Sequence, residues 1–141
     1  MLSGWSAWAC RDLDLMLVRY ASNCQFEPPP EFVEAGLRSA YNGHAGAREQ
    51  AADLRDAWER MDITPRELLD AGDQAVILGD VHIRARGSGV EWDSQIGVAY
   101  WFKAGLVVRE RPFFSWDGAL RAAGISATPA PAGAVGRVAE G

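Results

Sequence analysis

The chain has 141 residues, 48% of them hydrophobic and 10% aromatic, which is enough for one domain with a core of its own and too few for a second. Its formal net charge of -5, with Lys and Arg spread along the sequence, excludes the basic face that nucleic acid needs. No apolar run approaches the ~20 residues that span a bilayer, and no basic segment followed by an apolar one marks a secretory leader. Cys10 and Cys24 are therefore read as free buried thiols in a cytoplasmic protein without a membrane or nucleic-acid partner.

Trp5, Trp8 and Ala9 share a helical face, and after Asp12, a capping residue, Leu13, Met16, Leu17 and Tyr20 recur at helical spacing. The N-terminal segment through Tyr20 is thus predicted to be helical, in one or two pieces. Cys24 to Glu27 reads as a short strand, stopped by Pro28, Pro29 and Pro30, which cannot donate to a sheet ladder. Glu31 to Asn42 fits a helical turn or an irregular crossing. From Gly43, the residues Ala47, Ala51, Leu54, Trp58 and Met61 form one apolar stripe at spacings of four and three, predicting a helix that runs to Thr64-Pro65.

Arg66 to Asp70 reads as a short strand, and Ala71-Gly72-Asp73 turns it into a second, Gln74 to Arg86. On that strand Ala75, Ile77, Val81, Ile83 and Ala85 share one face, while Val76, Leu78, Asp80, His82, Arg84 and Arg86 share a more polar one. Gly87-Ser88-Gly89 turns the chain again, into a hairpin whose arms meet at Lys103-Ala104-Gly105. In its first arm Ile96, Val98, Tyr100 and Phe102 alternate with Gly97, Ala99, Trp101 and Lys103. In its second arm strict alternation puts Leu106, Val108, Glu110, Pro112 and Phe114 in one row and Val107, Arg109, Arg111 and Phe113 in the other. Asp117 is placed to cap a short helix that buries Ala119, Leu120 and Ala123 and stops at Gly124. Residues 126–141, rich in Ala, Pro and Gly, are expected to form a flexible tail to a single domain over residues 1–125.

Helices first, then a helix and consecutive hairpins, give an α+β architecture with helices segregated to a face of a curved, mixed or antiparallel sheet. The motifs Tyr41-Asn42-Gly43-His44, Trp58, Glu67-Leu68-Leu69-Asp70-Ala71-Gly72-Asp73, Arg86-Gly87-Ser88-Gly89 and Ala119-Leu120-Arg121-Ala122-Ala123-Gly124 come in an order that resembles the SnoaL-like polyketide cyclase branch of the NTF2-like superfamily, which also holds ketosteroid isomerase. The resemblance spans roughly residues 3 to 125. It implies a cone-shaped α+β fold with an internal apolar pocket, a small apolar molecule as partner, and a homodimer through the outer sheet face, which Trp101 would anchor. It leaves the function open, because members of the superfamily include isomerases, cyclases, dehydratases, epoxide hydrolases and non-catalytic binders. The positions of the ketosteroid isomerase base and oxyanion donors match Pro28, Gly4 and Val98, so the donor pair of that mechanism is missing.

Glu110 interrupts an otherwise apolar row. A carboxylate there has a structural partner, a neighbouring arginine or a bulge that turns it to solvent, or else it works as a proton shuttle whose pKa an apolar pocket raises. Glu27, beside the prolines, is the second catalytic candidate, although alternation gives Phe26 the better claim to the interior. Tyr100, Val98, Phe102, Trp58, Tyr20 and Trp8 are the candidate substrate-binding residues, the aromatic ones as core or as flat walls for a ring-containing ligand. His82 reads as an interface or solvent residue and His44 as part of a helix start. Two histidines so far apart set no metal site. Arg84, Arg86, Arg109 and Arg111 read as a solvated outer face. No nucleophile elbow, phosphate loop or cofactor motif is legible, so no cofactor is expected.

Overall fold

The computed structural model describes residues 17–36 and 38–126. Among them lie six strands and three helices: β1 Tyr20–Phe26, α1 Pro30–Glu34, β2 Tyr41–Asn42, α2 Gly43–Ala57, β3 Trp58–Asp70, β4 Gln74–Ala85, β5 Glu91–Lys103, β6 Leu106–Phe113 and α3 Trp116–Ala123. The strands form one sheet in the order β2-β1-β6-β5-β4-β3. β1 runs parallel to β6 and every other pairing is antiparallel. The predicted α+β fold with a curved mixed sheet is present. The helices expected before Leu17, with Trp5, Trp8 and Cys10, and all of the C-terminal tail except Ser126, lie outside the described residues.

Both faces of the sheet carry apolar side chains because α2 and α3 pack on opposite sides of it. On the concave face Phe26, Tyr41, Ile77, Val81, Ile83, Val98, Tyr100 and Val107 are buried with Ala47 of α2. On the outer face Val76, Leu78 and Ala99 pack against Ala119, Leu120 and Ala123 of α3. Each fully buried aliphatic or aromatic side chain contributes roughly 1.5–3 kcal/mol. Gly97 is what lets α3 come so close, since a Cβ there would stand 2.7 Å from that of Ala119. Ser115, not Asp117, caps α3: its side chain accepts from the Gly118 N–H at 3.2 Å. Asp117 sits in the first turn instead and pairs with Arg121. Gly124 ends the helix in the left-handed conformation, φ 68°, as expected.

Two departures from the sequence reading share one cause. The helix stops at Ala57, and Trp58 and Met61, read as the end of its stripe, belong to β3. Trp58 pairs with Ala85, Arg60 with Arg84 and Met61 with Ile83, so a β-bulge absorbs one residue and puts Trp58 and Met61 on the same face three positions apart. A bulge in a strand thereby imitates a helical turn. Pro65 did not end a helix: it lies in β3, the edge strand, beside a second irregularity, where its missing N–H costs nothing.

The same device resets the hairpin. Trp101 pairs with Arg109 and Phe102 with Val107, leaving Val108 as the extra residue. Val107, 1% exposed, therefore joins Glu110 on the concave face, and Leu106, expected inside, is 38% exposed. Trp101 lies on the outer face, as expected, partly buried against the α3 cluster with the Arg109 guanidinium 4.4 Å from its ring centroid.

Candidate active site

Glu110 stands at the centre of the concave face because three strands converge there. β5 places Tyr100 opposite it and β1 places Phe26 beside it. The Glu27 N–H donates to the Glu110 carbonyl at 3.0 Å, which fixes the backbone. Tyr20, predicted as the last residue of a helix, is instead the first of β1. Its ring stacks on Phe26 at 5.2 Å, and its hydroxyl donates to Glu110 Oε1. The Tyr100 side chain, directly across the sheet from Glu110, is buried on the same face. His44 Nε2 lies 3.0 Å from the Tyr20 carbonyl oxygen and ties the start of β1 to the start of α2, consistent with a structural role.

Burial pushes the Glu110 carboxyl up from 4.5 to about 7, and the Tyr20 hydrogen bond opposes part of that rise. The side chain is only half-buried by surface area, since it lines a pocket. Tyr20 and Tyr100 are pushed well above 10, first by burial and then by the charge of Glu110, so both stay protonated donors. The buried Cys24 thiol on β1 is raised to about 11 by its burial and by the same carboxyl, which makes it inert as a nucleophile.

The pocket is partly open and small, with a volume of about 40 Å³, room for roughly three water molecules. Phe32, Leu54, Met61, Ile63, Ile96, Val98 and Phe114 supply an apolar wall, completed by Pro29 and Pro112. Among the described lining residues only Glu110 and Gln50 carry hydrogen-bonding side chains.

The expected site residues do not all come together. Glu110, Val98, Tyr20 and Tyr100 come together at or beside this pocket. Trp58 stands behind it, packing on Phe32 at 5.3 Å and on Trp92 at 5.5 Å, with its Nε1 buried and unpartnered among the described residues. Phe102 stacks on Tyr100 at 6.5 Å but lines a separate depression between the two hairpin tips, of about 300 Å³, with Leu68, Asp70 and Asp73. Trp8 lies outside the described residues.

Glu27 is not brought to the pocket. Arg109 holds it in a fork, Nε to Oε2 at 2.6 Å and a terminal nitrogen to Oε1 at 3.1 Å, and Arg111 Nε adds a contact at 3.4 Å. Phe26 took the interior position, and alternation sent Glu27 to the face of the arginine row. His82 sits on the outer face between Asp93 (2.8 Å) and Glu91 (2.7 Å), which raise its pKa in that order. Arg84 and Arg86 lie at the Glu91 end of β5 and Arg109 and Arg111 near its other end, so the four make no single patch. No group of three or more His, Cys, Asp or Glu among the described residues has metal-binding geometry, and no helix among them is long and apolar enough to cross a membrane.

Phe32, Phe114 and Gln50 were not foreseen as pocket residues. Gln50 did leave a signal: with Ala47, Ala51 and Leu54 it completes the i, i+3, i+4, i+7 face of α2, a polar residue in an apolar stripe.

A model of the SnoaL-like domain matches residues 4–110. No curated protein matches. Among solved structures, an NTF2-like protein of unknown function from Burkholderia pseudomallei superposes with a TM-score of 0.72 at 21% identity, covering 85% of this chain and 91% of that one. TerC, crystallised with polyporic acid, gives a TM-score of 0.73 at 21% identity over 86% and 92%. A protein with a ketosteroid isomerase-like fold from Catenulispora acidiphila, in complex with trimethylamine, gives 0.67 at 14% identity over 91% and 96%. At these identities the superpositions speak for the fold.

Proposed function

The chain belongs to the SnoaL-like domain family, and from that premise we propose that it is a cofactor-independent enzyme in which Glu110 shuttles a proton on a small apolar cyclic substrate, in an isomerisation, cyclisation, hydration or dehydration. The observation that carries this reading is a carboxyl enclosed in an otherwise apolar pocket, where burial pushes it up to about 7. At neutral pH such a group is present in both protonation states, which is what a residue that takes and returns a proton requires. Tyr20 steadies the ionised form through Oε1, and Oε2 has no hydrogen-bond partner among the described residues, so it is the oxygen available to a substrate. Tyr20 spends its hydroxyl on Glu110, so it is not free to serve a substrate as an oxyanion donor. That TerC was crystallised with polyporic acid and the Catenulispora protein with trimethylamine supports a pocket for small organic molecules.

The simplest test is exchange of the α-hydrogens of cyclohexanone in deuterated buffer, followed by proton NMR. Glu110 would break the α-C–H bond, take the proton, leave the electron pair on the enolate oxygen, and return a deuteron from solvent. Exchange above the buffer rate that disappears in Glu110→Gln is the expected result. An equal rate in the variant refutes the role of Glu110. A protein that binds the ketone without exchange is instead a binding module, the alternative that the small size of the pocket favours.

We also propose a homodimer through the part of the outer sheet face that α3 leaves uncovered, around β3, β4 and the start of β5. Sedimentation at micromolar concentration should give twice the chain mass; a monomer there rules the dimer out.

A further inference from the structure

Gln50 is the one buried polar or charged side chain in the described core, 7% exposed, and it lines the same pocket as Glu110. Its carboxamide has no hydrogen-bond partner among the described residues. Its amide atoms are not sealed in the core but reach the pocket, so they place two donors and an acceptor on a wall that Leu or Ala would leave wholly apolar. A bound group can complete the carboxamide, because the pocket opens onto it.

We infer that Gln50 is the specificity-determining residue of the pocket, donating from Nε2 to the carbonyl oxygen of an uncharged ligand and so turning the ligand's α-carbon toward Glu110. The inference rests on the reading of this pocket as a substrate site. The chemistry of the lining selects the ligand class. No Lys, Arg or His lines the pocket among the described residues, so an anionic ligand would bury its charge unpaired beside a carboxyl. Ionised Glu110 only accepts hydrogen bonds, so a carbonyl oxygen is repelled there and goes to the remaining donor, Gln50. The two groups enter from different elements, α2 and β6, which lets one hold the oxygen while the other meets the adjacent carbon. A volume of about 40 Å³ takes a carbonyl and its neighbouring carbons, with the rest of a ring toward the open side.

The test follows the Gln50 side-chain NH2 signals of nitrogen-15-labelled protein while cyclohexanone, methylenecyclohexane or cyclohexanecarboxylate is added, in the wild type, Gln50→Leu and Gln50→Ala. Leu keeps the volume and Ala opens it, so the pair separates a lost hydrogen bond from a blocked pocket. The ketone should shift the Gln50 signals and bind about five- to tenfold more weakly to both variants. Methylenecyclohexane should bind the wild type and Gln50→Leu within about twofold of each other, and the carboxylate should not compete. Unchanged ketone affinity in both variants, an equal loss for ketone and hydrocarbon in Gln50→Leu, or no saturable ketone binding overturns the inference. Carbon-13 titration of Glu110 on the same wild-type sample keeps the two readings apart. A near-neutral Glu110 with ketone binding indifferent to Gln50 sinks only the role of Gln50, and an ordinary Glu110 pKa sinks only the acid-base reading.

Discussion

Glu110 holds its proton near neutrality because two opposing effects act on one carboxyl. Burial among Phe26, Val98 and Tyr100 penalises the charged form, and the Tyr20 hydroxyl stabilises it. Removing that hydroxyl leaves only the penalty. Tyr20→Phe should therefore move the Glu110 carboxyl above its wild-type value in a carbon-13 NMR titration; a fall would mean that the hydroxyl does not stabilise the carboxylate. Glu110 was legible in the sequence because it breaks an apolar row, a signal that depends only on residue type and alternation. Tyr20 was misread because its spacing from Leu13, Met16 and Leu17 continues a helical pattern, while its true partners, Phe26 and Val107, lie in or beside a strand pairing no local pattern reveals. Glu27 was a fair candidate on proximity to the prolines and became an ion-pair member once alternation put Phe26 inside.

At the scale of elements, four bulges or irregularities among the described strand pairings separate the sequence from a simple alternating pattern. Periodicity rests on a constant step of two in a strand, and each extra residue resets the phase. Near Trp58 the reset disguised a strand as a helix. At Val108 it brought Val107 inward while keeping Glu110 opposite Tyr100, so the inserted residue helps to seat the carboxyl. Elements with intact periods, such as β4 and the first arm of the hairpin, were read with their faces correct. The hairpin turn itself carries strain, since both of its central residues have positive φ, 54° at Ala104 and 79° at Gly105. Ala104 is the one described non-glycine residue in that region, where a Cβ is unfavourable. Ala104→Gly should stabilise the protein by about 0.5–1 kcal/mol in urea denaturation, the relief of the left-handed penalty exceeding the entropy added to the unfolded chain. A loss of stability would show that the turn does not carry that strain.

For the molecule as a whole, the sheet divides its labour between faces: α3 seals part of the outer side, and the concave side keeps a small opening in which a titrating group is enclosed. That enclosure couples folding to protonation. Folded Glu110 binds its proton up to a pH of about 7, against 4.5 for the ordinary carboxyl, so between these values the native state holds a proton that the unfolded chain has released. Its favourable contribution is complete below pH 4.5 and lost as the pH rises through 7. Relative to Glu110→Gln, the wild type should lose on the order of 3 kcal/mol of stability from about pH 4.5 to about pH 8 in urea denaturation. Parallel profiles for the two proteins would show that Glu110 is not desolvated by folding. The family and the α+β class were legible from the order of short motifs along the chain, and the covered outer face was not, because Gly97 and Ala119 meet only in three dimensions.

The proposed chemistry depends on one property, a carboxyl that is half ionised at neutral pH inside an apolar pocket. Carbon-13 NMR titration of the Glu110 side-chain carboxyl in the folded wild-type protein reads that property without a substrate. A midpoint near pH 7 is the expected result; a midpoint near 4.5 would contradict it and remove the case for Glu110 as a proton shuttle.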